Sequence, residues 1–299
     1  MTALPLDRSE MPDHAASAAA ASRTRLLAAS VGLVEDVRAG DASRERGAAG
    51  FSPEFQVALP YRGLLVWHVG HDDVVGDANQ VLFVTGGESY RVSEPLPGGY
   101  GELIITPPPG LLAEIAQVPE ARLPTHPLFR RRSRRVNPRL QRLRTRLLHR
   151  ATGAPDEDDF AAEELVLALL RAVLGEEAPQ VEPGESTRRL LRQTKELLEA
   201  ELANPLRLCD VARAVGASPA YLTDLFRRVE GVSLHRYVTQ LRLARALVEL
   251  PHAEDLTALA LALGFSSHSH FSAAFRRAFG CTPSQFRQTT RARQRPALR

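Results

Sequence analysis

The chain is poor in cysteine. Cys209 and Cys281 are the only two in 299 residues, too few for a disulfide framework, and no Cys-x-x-Cys or Cys–His cluster marks a zinc site. Lysine is scarcer still: Lys195 is the single lysine among 38 basic residues. No apolar run approaches the roughly 18 to 20 residues that a membrane helix needs. Asp7, Glu10 and Asp13 stand where a secretory signal would be basic, so a leader is not expected. No phosphate-binding loop, Ser-His-Asp set or paired-carboxylate arrangement is found. These absences point to a reduced, cytoplasmic, non-membrane protein with no cofactor and no catalytic residues.

What is present fits about two domains, with 44% apolar and 24% charged residues. The net charge of +3 is uneven. From Val181 onward there are 18 Lys and Arg against 11 Asp and Glu, and before it 20 against 24. A basic C-terminal half on an acidic N-terminal half suggests a polyanion partner for the former.

Residues 1–24 are Ala/Ser-rich and expected to be disordered. Residues 25–135 read as short strands: Val31 to Val37, Glu54 to Leu59, Gly63 to Val69, Gln80 to Thr85, Ser89 to Val92 and Gly101 to Thr106. Pro60, Gly70-His71-Asp72-Asp73, Gly86-Gly87 and Pro97-Gly98-Gly99 break them. That spacing indicates an antiparallel sandwich or barrel, followed by a short helix from Leu111 to Gln117. The arginine run Arg130 to Arg135 reads as a solvated connector, with an auxiliary phosphate contact as the alternative. Residues 136–175 read as a helical hairpin. Asn137 caps the first helix at Pro138, and the second, from Asp159, is apolar beyond a single stripe, which suggests a dimer seam. Residues 176–185 have linker composition.

From residue 186 to 290 the pattern is wholly helical. Leu208 to Val215, the turn at Gly216, and a helix capped by Ser218 with Pro219 at its first position describe a helix-turn-helix. Asp255, Leu256 to Leu263, Gly264 and the helix Ser267 to Phe279 repeat it. The helix Leu234 to Leu250 between them is ~25 Å long, which suits two reading helices in successive major grooves about 34 Å apart. Residues 291–299 form a basic tail. The fold class is α+β multidomain: a β-barrel with a helical hairpin, then an all-α domain with two helix-turn-helix units.

The run Gly264-Phe265-Ser266 through His270-Phe271, Phe275-Arg276-Arg277, Gly280 and Thr282-Pro283 to Phe286-Arg287 closely resembles the signature of the AraC/XylS family of bacterial transcription regulators. Leu208 to Ala212, Ser218-Pro219 and Leu222 to Phe226 match upstream. The resemblance covers about residues 186–287. It implies a regulator, most often an activator, that binds double-stranded promoter DNA, with RNA polymerase and a second copy of the chain as partners. It also implies a cupin-like N-terminal barrel that senses a small-molecule effector or dimerises. Transferred by position, base readout falls to Ala220, Thr223, Asp224 and Arg227, and to His268, Ser269, Ser272 and Ala273. Arg276, Arg277 and Arg287 become phosphate contacts. Tyr61, Trp67, His68 and Tyr90 are candidate liners of an effector pocket. The alternative is a cupin-type metal enzyme fused to a DNA-binding module, but His68 and His71 are an odd number apart and cannot share a strand face. His268 and His270 likewise diverge on a helix, so no metal ligand set is expected.

Overall fold

A computed structural model describes residues 21–40, 49–125, 132–150, 159–174 and 184–294. Among the described residues ten strands build the N-terminal half: β1 Ser22–Ala29, β2 Gly32–Ala39, β3 Gly50–Ser52, β4 Gln56–Arg62, β5 Leu65–Val69, β6 Asp72–Gly76, β7 Gln80–Val84, β8 Glu88–Ser93, β9 Tyr100–Thr106 and β10 Ser133–Arg135. They form two antiparallel sheets, β1-β2-β9-β4-β7-β10 and β3-β8-β5-β6. The expected barrel is therefore not closed among the described residues.

Strand alternation places two cores on opposite faces of the larger sheet. Leu103 and Ile105 of β9, with Val57, Leu59 and Tyr61 of β4, pack against helices α1 (Pro109–Ala116), α2 (Pro138–Arg150) and α3 (Asp159–Leu174). Tyr100 and Ile104 of β9, with Ala58 of β4, face the smaller sheet and meet Leu65, Trp67 and Val69 of β5. A period of two on a strand produces this division. The apolar excess of α3 is largely consumed here: Leu169, Leu170, Val173 and Leu174 are buried in the first core, leaving Leu165 and Leu167 half-buried.

Several expectations change. Residues 22–24, expected to be disordered, belong to β1, which pairs along β2; residues 1–20 lie outside the described residues. Asp72 and Asp73, read as part of a break, begin β6, paired with β5. The described part of the arginine run, residues 132–135, is neither a solvated connector nor a free phosphate site. Ser133–Arg135 extends the larger sheet against β7, while Arg130 and Arg131 lie outside the described residues. Arg132 pairs with Glu88, Arg134 donates to the Val173 carbonyl at 2.6 Å, and Arg135 donates to the Glu230 carbonyl at 2.9 Å. Most of the linker, residues 176–183, and residues 295–299 of the tail also fall outside the described residues.

The C-terminal half is helical: α4 Glu185–Ala200, α5 Leu208–Ala214, α6 Pro219–Glu230, α7 Leu234–Glu249, α8 Leu256–Ala262, α9 His268–Phe279 and α10 Pro283–Gln294. It holds two cores. Leu222, Leu225 and Phe226 of α6 pack on Leu234, Tyr237 and Leu241 of α7. Phe271, Phe275 and Phe279 of α9 pack with Phe265, Phe286 and with Leu243 and Leu247 of α7. Helix α7 is shared by both. The two halves of the chain meet through a polar interface in which Tyr237 donates to Asp77, Gln80 to Glu230 and Asn79 to the Tyr237 carbonyl.

Candidate nucleic-acid interface

Each helix-turn-helix is set by a few local interactions. In the first, Gly216 takes φ +69°, a left-handed value that costs glycine little, and ends α5. Ser218 then accepts from the Tyr221 amide at 3.2 Å and Pro219 occupies the first helical turn, so α6 starts at a fixed point. In the second, Gly264 has φ +83°, and a Cβ there would stand 2.6 Å from the Leu202 carbonyl. Ser267 accepts from the His270 amide at 3.1 Å to start α9. Thr282 and Gln285 exchange bonds of 2.9 and 3.2 Å at the start of α10, a capping box.

The two reading helices superimpose in sequence at an offset of 49. Caps Ser218 and Ser267, buried Leu222 and Phe271, buried Phe226 and Phe275, and left-handed Gly231 and Gly280 correspond. On this offset Ala220 matches Ser269, Thr223 matches Ser272, and Asp224 matches Ala273. Arg227 and Arg228 match Arg276 and Arg277. Arg227, read above as a base contact, therefore occupies the same place as Arg276, read as a phosphate contact.

The outward faces are open. Ala220, Asp224, Arg227, Ser269, Ala273, Arg276 and Arg277 are exposed, and Thr223, His268 and Ser272 half-buried. Thr223 Oγ1 donates to the Pro219 carbonyl at 2.8 Å, leaving its oxygen free to accept. Asp224 lies 3.3 Å from Arg228, which offsets the repulsion a bare carboxylate would meet near phosphate. Ser272 Oγ and His268 Nε2 are 3.4 Å apart. Arg287 is committed within the fold: its Nη1 donates to the carbonyls of Ala253 and Glu254, both at 3.0 Å. Tyr221 was missed from the sequence. It is 46% exposed on α6, and the signal was an aromatic one position ahead of the buried Leu222, off the apolar face.

The four candidate pocket liners are not brought together. Trp67 and Tyr90 stack at 5.5 Å between the sheets. Tyr61 lies in the core against the helices, donating to Asp36 at 2.7 Å. His68 sits on the other face of β5, 2.6 Å from Asp73 and 2.8 Å from Ser93. Among the described residues, no three His, Cys, Asp or Glu side chains gather to hold a metal, and no helix is long and apolar enough to cross a membrane.

Two capped, outward-facing reading helices on a duplicated scaffold define a DNA-binding module of the double helix-turn-helix type. A family described as a helix-turn-helix domain matches residues 211–289. Over 103 residues the chain is 36% identical to the regulatory protein SoxS of Salmonella typhimurium, a match covering 34% of this chain and 96% of SoxS. It is 32% identical over 140 residues to the HTH-type transcriptional activator RhaR of Klebsiella pneumoniae, 46% of this chain and 50% of RhaR. It is also 33% identical over 127 residues to the Msm operon regulatory protein of Streptococcus mutans, 41% of this chain and 45% of that protein. The chain thus spans half the length or less of the last two relatives. A solved AraC-type transcriptional regulator from Chromobacterium violaceum shares 33% identity, covering 36% of this chain and 96% of that one, with a TM-score of 0.34. The chain belongs to the AraC/XylS family of transcription regulators.

Proposed function

We propose that this protein is a sequence-specific DNA-binding regulator of transcription, acting as an activator together with RNA polymerase. The observation that carries the reading is the repeat itself: α6 and α9 present equivalent open faces, each ending in an arginine pair. Residues in the first turns of such helices reach base edges. Base contact is accordingly assigned to Ala220, Tyr221, Thr223 and Asp224, and to His268, Ser269, Ser272 and Ala273. Ser and Thr can pair with either base type, and alanine can touch a thymine methyl. The equivalence of Arg227 with Arg276 moves Arg227 to the phosphate set with Arg228, Arg276 and Arg277, whose place in the last helical turn suits the backbone.

Titrating labelled promoter DNA at several salt concentrations tests this. A steep linear fall of log affinity with log salt is expected, and a flat line would refute the electrostatic part of the assignment.

The N-terminal half is assigned to effector sensing and to assembly of a homodimer. Half-buried Leu165 on α3 marks the accessible apolar face for a second copy. Leu165→Glu is expected to shift sedimentation from dimer to monomer; a monomeric parent would contradict it.

A further inference from the structure

The last carbonyls of a helix have no partner within it, and they form the negative end of its dipole. Both reading helices end this way, at Glu230 before Gly231 and at Phe279 before Gly280, positions that correspond at the offset of 49. In each case an arginine from the N-terminal half takes up the free carbonyl. Arg135 Nη1 donates to the Glu230 carbonyl at 2.9 Å, and Arg142 Nη1 donates to the Phe279 carbonyl at 2.7 Å.

The two donors are seven residues apart on one corner of the fold. Arg135 ends β10, fixed against β7 and joined also to Gln240 of α7. The Val136 amide donates to the Asn79 carbonyl at 2.8 Å. Asn137 then accepts from the Leu140 amide at 2.9 Å and starts α2, which carries Arg142 and packs against α7, α9 and α10. A single strand-to-helix corner therefore reaches the equivalent end of both reading helices. Those helices sit in separate cores joined along α7, so a second tie resists bending between them. The contacts fall at the helix ends, and Ala220, Asp224, Ser269 and Ala273 stay exposed while the halves are docked.

We propose that Arg135 and Arg142 are paired positioning residues: by capping the equivalent ends of the two reading helices, they make the N-terminal half set the distance between the two DNA-reading faces. The spacing consequence rests on the DNA-binding reading; the geometric one does not.

The test uses the full chain in two arms. In the first, with Cys209→Ser and Cys281→Ser, spin labels at Ala220→Cys and Ala273→Cys report the distance between the faces without DNA. Arg142→Gln should broaden that distribution, and Arg142→Lys, which keeps a charged donor, should restore a narrow one. Arg142 is exposed, so its variants are expected to fold; Arg135→Gln is the second probe, read after its melting curve shows a folded chain. In the second arm, binding is compared between a selected site and the same site with two base pairs inserted between its halves. The parent's preference should drop about tenfold in Arg142→Gln, the worth of one charge-assisted hydrogen bond, while affinity for a single half-site stays the same. An unchanged distance distribution in both folded glutamine variants would overturn the proposal, as would an equal loss of affinity at every spacing. A parent that selects no sequence while Arg142→Gln still broadens the distribution would remove the DNA-binding reading and leave the clamp standing.

Discussion

The Lys195 ammonium lies 2.8 Å from the Glu230 carboxylate, with side chains 7% and 6% exposed. The only lysine of the chain thus joins α4 to the end of the first reading helix, beneath the ring of Tyr237 at 5.6 Å. Gln80 of β7 donates to the same carboxylate at 3.0 Å. Removing one partner of a buried pair strands the other charge, at a cost of about 3 to 5 kcal/mol. Lys195→Met is expected to lose stability of that order in urea unfolding, and Lys195→Met with Glu230→Gln to recover most of it. A loss below ~1 kcal/mol, the range of exposed pairs, would mean that solvent reaches the pair.

Glu102 gives a pH-dependent prediction. It is 3% exposed, on the strand face between the sheets, and its Oε2 has no hydrogen-bond partner. Burial pushes its carboxyl from 4.5 up to about 7, with Arg23 pulling weakly the other way. A carboxyl raised in the folded state favours folding while it is protonated in both states. Its contribution is full below about pH 4.5, fades as pH rises to about 7, and then stays level. Glu102→Gln should therefore be more stable than the parent at pH 8, by up to ~3 kcal/mol for such a shift. The advantage should vanish near pH 4. Equal melting profiles for both proteins across this range would show that Glu102 is solvated.

The contrast between Arg287 and Arg276 separates a fold contact from a proposed DNA contact. Arg287 ties α10 to the carbonyls of Ala253 and Glu254, whereas Arg276 is exposed. Arg276→Ala should reduce the slope of log affinity against log salt by about 0.9, one phosphate contact, without changing the melting midpoint. Arg287→Ala should lower the midpoint and leave the slope unchanged. The reverse pattern would exchange their roles.

The helical half was legible because local chemistry and burial agree there. Ser218, Ser233, Asp255 and Ser267 cap the helices they precede, and Phe271, Phe275 and Phe279 fall on one buried face at helical spacing. The strands escaped where apolar alternation is missing, as in β1, or where the strand partner lies far away in sequence, as for β10 against β7. In β1, Ser22 to Arg25 are exposed and carry no apolar pattern. In β10, three polar residues look solvated until Val173 and Glu230 supply carbonyls to Arg134 and Arg135. Asp72 and Asp73 resemble turn residues, yet each pairs with an arginine of α4, Arg188 at 2.9 Å and Arg192 at 2.8 Å. Among the described residues the strands form two antiparallel sheets and not a closed barrel, because strand order is a long-range property that periodicity does not encode. Likewise Tyr61 and Trp67, both aromatic and both buried, ended on opposite sides of the larger sheet because their strands turn different faces to its two cores.

The most direct test of the account is binding-site selection from random duplex DNA with the full chain and with Asp224→Ala and His268→Ala. A site of two blocks about one helical turn apart is expected, with Asp224→Ala changing the preferred bases in one block and His268→Ala in the other. A parent that enriches no sequence, or two variants that alter the same block, would contradict it.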